Sequence, residues 1–110
     1  MNAEELYETL RKINEPKGYY FNKDKDIVLI ILDGLLKNKE RYGYMTCPCR
    51  LSAGDRERDG DIMCPCAYRK ADVEQYGACF CGLYVLPDWN EDKIPHSLVP
   101  ERRPPDKSFL

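Results

Sequence analysis

Six cysteines fall in three Cys-x-Cys pairs: Cys47-Pro48-Cys49, Cys64-Pro65-Cys66 and Cys79-Phe80-Cys81. Thiolates ligate soft metals and iron–sulfur clusters. One intervening residue is tight for gripping a single zinc ion, whose structural sites use wider Cys-x2–4-Cys pairs. The spacing suits two cysteines that reach different irons of one cluster, or one that ligates while its neighbour faces elsewhere. Proline in the middle of two pairs fixes the backbone and removes an amide donor. A cubane cluster takes four thiolates, so two of the six remain, and counting does not say which. Two spare cysteines beside a cluster are chemically useful. A cluster passes one electron at a time and a disulfide needs two, so contact between them lets single electrons be collected for a two-electron reduction.

The elements that must position these pairs flank them. Asn2 can cap a helix over Ala3 to Ile13, with Glu5 three residues after the cap and Leu6, Leu10 and Ile13 at helical spacing. Glu15-Pro16-Lys17-Gly18 breaks it, and Tyr19, Tyr20 and Phe21 form an aromatic knot expected to pack on the core. Ile27 to Leu32 is rich in β-branched residues and could pass for a buried strand. The apolar pattern continues through Leu35 and Leu36 to the basic Lys37, Lys39 and Arg41, and Gly43 stands at a C-cap position. This predicts a helix from Lys25 to Tyr42 with Gly34 as its weak spot. Between the motifs, Ser52 to Arg58 and Ala71 to Tyr76 are expected as short helices, marginal unless packed on something central. From Pro87 onward the prolines Pro87, Pro95, Pro100, Pro104 and Pro105 suggest an extended tail lying over the domain.

The expected fold is therefore mainly α: one small domain over residues 1–110, with short helices wrapped around a 4Fe–4S cluster, a cysteine-motif region at 44–86 and a Pro-rich tail at 87–110. The 110-residue length suits one domain. Charged residues make up 33% and the net charge is -2, which excludes a basic nucleic-acid surface. Met1 to Leu10 mixes Glu4, Glu5 and Glu8 with apolar positions, unlike a secretory leader. The apolar run Ile27 to Leu32 is too short to span a bilayer. A cytoplasmic location is expected, and with it metal chemistry at the cysteines in preference to disulfide staples.

The triple motif resembles the catalytic (beta) chain of ferredoxin:thioredoxin reductase, a family that carries Cys-Pro-Cys, Cys-Pro-Cys and Cys-His-Cys. The lead-in Arg41-Tyr42-Gly43-Tyr44 and the Cys-Pro-Cys-Arg ending at Arg50 look like the family too, and the resemblance runs over about Lys25 to Leu86. It implies an enzyme, with a 4Fe–4S cluster on Cys47, Cys64, Cys66 and Cys79. It implies an active-site disulfide between Cys49, the outer thiol that attacks the partner, and Cys81, the inner thiol held at the cluster until the second electron arrives. The implied donor is ferredoxin and the implied target is thioredoxin or a thioredoxin-like protein. A separate variable subunit accompanies the photosynthetic enzymes.

The chain departs from the family pattern twice. Phe80 stands where the photosynthetic enzymes have a histidine that is thought to help with protons, so solvent, a tyrosine or a carboxylate must serve here. The twelve residues from Ala67 to Ala78 make a longer gap between the second and third motifs. Both departures suggest a non-photosynthetic branch. The lone His96 is expected as a surface or tail histidine. Arg50, Arg56, Arg58, Arg69 and Lys70 alternate with Asp55, Glu57, Asp59, Asp61, Asp72 and Glu74, which reads as a solvated mixed face. Only Arg50 and Arg69, close to cysteines, invite a functional reading. Trp89, Tyr84 and Tyr68 could shield a cluster or simply pack, and Arg102-Arg103-Pro104 reads as a tail feature. Two other functions compete with the reductase. One is a simple iron–sulfur electron carrier, which has no need of the third pair. The other is a zinc-bound interaction module.

Overall fold

In a computed structural model, which describes residues 1–50 and 52–104, two helices carry most of the core. Helix α1 spans Ala3–Asn14 and starts on the expected capping box: the Glu5 amide donates to the Asn2 side chain at 2.9 Å, and the Asn2 amide donates to the Glu5 carboxylate at 3.3 Å. Leu6 is buried and Leu10 half-buried, but Ile13 stays exposed. Its place is taken by Asn14, which is buried. The Asn14 amide donates to the Leu10 carbonyl at 2.8 Å, and its carbonyl accepts from Arg69 at 2.7 Å.

Helix α2 spans Lys25–Tyr42, the predicted range. The Asp24 side chain accepts from the Ile27 amide, and Gly43 closes the other end at φ +86 with its amide on the Lys39 carbonyl. Val28, Ile31, Leu32 and Leu35 line its buried face at helical spacing, and Leu6, Phe21, Val73, Leu83 and Tyr84 complete the core. The β-branched run is thus helical, because its burial repeats every three to four residues and not every two.

A small antiparallel pair was not anticipated: β1 (Tyr20–Phe21) beside β2 (Tyr84–Val85), with Phe21 opposite Tyr84. Two-residue strands are too short to show an alternating pattern. Side chains hold this pair, with the Phe21 ring 4.8 Å from Tyr7 and 5.5 Å from Tyr84. Helix α3 (Arg69–Tyr76) covers the expected Ala71 to Tyr76 and ends on Gly77 at φ +80.

Three other expectations need correction. Ser52 to Arg58 forms no helix. Asp59 instead gathers that loop's donors: Tyr44 Oη at 2.8 Å, the Ala53 amide at 3.0 Å, the Gly54 amide at 3.2 Å and the Ser52 hydroxyl. A carboxylate that satisfies successive amides stabilises a turn at the expense of a helix. Next, the mixed charges are not all solvated, since Asp59 and Asp72 are fully buried. Finally, the tail is not simply extended. Pro87–Asn90 forms a short helix, α4, and the chain beyond it returns to the domain. Val99 buries against Ala78 and Val85, Arg102 Nε donates to Asp72 at 2.9 Å, and the buried Arg103 donates to Asp61 at 2.9 Å and to the Arg58 carbonyl at 3.1 Å. The last part of the expected tail, residues 105–110, lies outside the described residues. No helix among the described residues is long and apolar enough to cross a membrane.

Burial alone would raise the Asp59 carboxyl, but hydrogen bonds from Ser52, the Ala53 amide and Tyr44 outweigh it and hold the group below its usual range. A lowered folded pKa contributes stability that is fully present above the unfolded value of about 3.9 and is lost as pH falls through the folded value. Asp59→Asn should therefore cost about 2 kcal/mol at neutral pH. The gap from wild type should narrow as pH falls below the unfolded carboxylate value of about 3.9, measured as denaturation midpoints across that range.

Candidate functional site

Backbone pairing brings the three motifs to one place. The first two loops run antiparallel: the Cys47 amide donates to the Ile62 carbonyl and the Cys64 amide to the Met45 carbonyl, both at 2.8 Å, with a bridge between Thr46 and Met63. The third motif is the tip of a tight hairpin. The Cys79 amide donates to the Tyr84 carbonyl at 2.9 Å, the Gly82 amide to the Cys79 carbonyl at 2.8 Å, and Gly82 adopts φ +71. Asn22 ties the hairpin to the start of α2, donating from its side chain to the Gly82 carbonyl at 3.1 Å. Gly34 of α2 explains itself here. A Cβ on it would lie 2.9 Å from Pro48 Cβ, so the missing side chain lets the first Cys-Pro-Cys loop seat on the helix.

Together the loops border one partly open pocket beside α2. Cys47, Cys64, Cys66, Cys79 and Cys81 line it, with apolar walls from Ile31, Leu35, Phe80 and Leu83. Cys49 does not line this space. It is exposed, yet its sulfur, with those of Cys47 and Cys81, belongs to a trio mutually within 4.8 Å, a group that could hold a metal ion. The structure thus brings Cys49 and Cys81 close as free thiols and gives them Cys47 as a shared neighbour. Cys64 and Cys79 are pushed up by burial in the first place. Cys81 is also pushed up, first by its hydrogen bonds with Cys47 and Cys49. Cys49 moves the other way, down to about 3, because the Cys47 and Cys81 thiols donate to its sulfur and the Arg50 charge adds attraction.

Two donors already point at sulfur. The Tyr84 amide lies 3.3 Å from Cys79 Sγ, and Arg50 Nη1 lies 3.4 Å from Cys66 Sγ. Arg50 also lies over the Phe80 ring at 4.5 Å. Arg69 borders the cavity but is committed elsewhere, to Asn14 and over the Tyr19 ring at 3.8 Å. Tyr84 lines the cavity, while the Tyr68 hydroxyl donates to Asp61 at 2.6 Å. Trp89 stacks on His96 at 3.7 Å, and His96 Nε2 lies 2.6 Å from the Trp89 carbonyl. Sequence reasoning missed Glu101, whose carboxylate accepts from Arg50 at 2.8 Å. In the sequence it is one of several tail acids, set just before Arg102-Arg103.

The family model described as "Ferredoxin thioredoxin reductase catalytic beta chain" matches residues 1–102. The chain belongs to this family. Among curated relatives of the ferredoxin thioredoxin reductase family, it is 36% identical over 52 residues to the chloroplastic ferredoxin-thioredoxin reductase catalytic chain of Arabidopsis thaliana, covering 44% of this chain and 36% of that protein. It is 34% identical over 47 residues to the catalytic chain of Porphyra purpurea, covering 39% and 40%. It is 34% identical over 50 residues to that of Pyropia yezoensis, covering 42% and 43%. The matched stretches therefore span less than half of these ferredoxin-thioredoxin reductase chains.

Two outcomes follow from the geometry. In reduced protein, iodoacetamide should label Cys49 first. Mass mapping of the labelled peptides reads the order, which exposure sets. Gly34→Ala should lower the denaturation midpoint by an equivalent of about 1 kcal/mol, since overpacking against Pro48 outweighs the better helix propensity of alanine.

Proposed function

We propose that the chain is an oxidoreductase that takes single electrons from a ferredoxin and reduces the disulfide of thioredoxin or a similar protein. The observation that carries this reading is the division among six thiols: five border one pocket with apolar walls, and the sixth, Cys49, is exposed beside Cys81. Cys47, Cys64, Cys66 and Cys79 would hold a 4Fe–4S cluster, as their places in the three motifs suggest. The donor set fits such a group. Ligands to different irons of one cluster need to face a common cavity without touching, and the Tyr84 amide and Arg50 are donors of the kind that support ligating sulfur. When bound, the cluster supplies electrons one at a time.

The rest of the chemistry belongs to Cys49 and Cys81. Two electrons, delivered singly, open the bond between them, and two protons complete the dithiol. Cys49, exposed, attacks the target disulfide as its thiolate; a mixed disulfide forms and one target sulfur leaves as a thiol. Cys81 then attacks the Cys49 sulfur. This restores the Cys49–Cys81 disulfide and releases the second target thiol. Phe80 and the long gap between the second and third motifs support a branch apart from the photosynthetic enzymes, acting in the cytoplasm as one domain with or without a variable subunit. A simple iron–sulfur carrier is the second reading, favoured by the proximity of Cys47 to both Cys49 and Cys81, which would let those sulfurs act only as neighbours of a ligand.

The deciding preparation is anaerobic protein assayed for iron, sulfide, zinc and thiols. The reductase reading expects about four irons and four sulfides. Cys49→Ser should keep them and lose turnover of the disulfide substrate, whereas Cys64→Ser should lose the iron itself. Zinc without sulfide sinks the cluster, and a Cys49→Ser variant that still turns over sinks the disulfide mechanism.

A further inference from the structure

Arg50 is a buried cation at the edge of the pocket that the cysteines line. Its side chain is 2% exposed. Nε lies 2.8 Å and 3.1 Å from the two oxygens of Glu101, and Nη2 lies 2.9 Å from one of them, a bidentate fork. The third nitrogen, Nη1, points away from the carboxylate to Cys66 Sγ at 3.4 Å. The plane of the group is covered by Phe80 at 4.5 Å and Tyr68 at 5.2 Å. A clamp that only fastened the tail would need the carboxylate alone. Burying a guanidinium is costly, and here the burial leaves one donor fixed on a sulfur at the cavity.

We propose that Arg50 is a positioning residue for the redox centre, held by Glu101 of the returning tail so that its hydrogen bond and fixed charge on Cys66 set the potential at which the site accepts an electron. The inference rests on the reading of Cys66 as a cluster ligand. A donor on a ligating sulfur and a nearby positive charge both favour the state with one more electron, and so raise the potential. Glu101, a third exposed, offsets part of that charge and keeps the fork in place. Arg50 stays charged at any working pH, so it acts as a constant bias and not as a proton source.

The two partners then have opposite signs. Arg50→Gln removes the cation and leaves the Glu101 carboxylate beside the site, so the potential falls. Glu101→Gln retains an acceptor for the fork and removes the offset, so the potential rises. A merely structural role gives a different pattern: loosening the tail admits water in either variant and moves both in the same direction.

The test is an anaerobic redox titration of the iron–sulfur signal in wild type, R50Q and E101Q, each assayed for iron and sulfide first. A lower midpoint in R50Q and a higher one in E101Q, at unchanged iron content, is the expected result. Equal midpoints, or shifts of the same sign, overturn the inference. Should R50Q fail to retain iron, E101Q decides alone: a rise supports the bias and a fall or no change removes it. Wild type without iron would instead overturn the proposed function, an outcome distinct from iron-loaded variants whose potentials do not move.

Discussion

Thiols gathered in an apolar space resist becoming anions, because burial removes hydration and each new charge repels the next. The rest of the structure answers that constraint. The walls of the cavity come from the buried face of α2 and from the hairpin at Leu83, so water is kept back. Two of the polar groups at its border are donors aimed at sulfur, the Tyr84 amide at Cys79 and Arg50 at Cys66, while Arg69 turns to Asn14. No side-chain carboxylate of the described residues borders the cavity. Glu101 reaches the site only through Arg50, and Asp59 and Asp61 spend their charge on the loop between the first two motifs and on Arg103.

That arrangement explains why a small chain uses its acids as it does. Four donors converge on Asp59, and Arg103 closes over Asp61 from the tail. The loop from Ser52 to Asp59 has little apolar surface of its own, so it cannot be held by packing. Charge-assisted hydrogen bonds take over, and they fix the strand-like stretches 44–47 and 61–64 that carry two of the Cys-Pro-Cys pairs. The tail is part of the same device. Glu101, Arg102 and Arg103 each grip a different part of the cysteine region, at Arg50, Asp72 and Asp61 respectively.

Local features were legible in the sequence. The Asn2 capping box and the Gly43 end of α2 depend on residues within four positions of one another, and each stands where pattern reasoning puts it. The threefold Cys-x-Cys pattern was legible as one constellation. What was not legible joins distant positions: β1 with β2, Arg50 with Glu101, Arg103 with Asp61. An arginine in a proline-rich tail has no periodicity to betray its burial, and an acid among alternating charges looks solvated until the loop folds around it. Gly34 looked like a propensity defect in α2 because only the folded loop reveals Pro48 against it. The partition of the six thiols also needs three dimensions, since spacing treats Cys47 and Cys49 alike while the fold buries one and exposes the other.

The exposed thiol bears on where protons travel in the proposed cycle. Phe80 has none to give, and the cation over its ring holds its protons at any working pH. The Tyr68 hydroxyl is committed to Asp61, and that of Tyr84, raised first by burial, accepts from Asn14. His96 is held on Trp89, and Glu101 on Arg50. Each of these groups is therefore engaged elsewhere. Cys49 faces solvent directly, so water at that sulfur is the route the geometry leaves open for protons of the dithiol. The fold thus divides its thiols: five line a pocket with apolar walls, and Cys49 at its rim faces solvent.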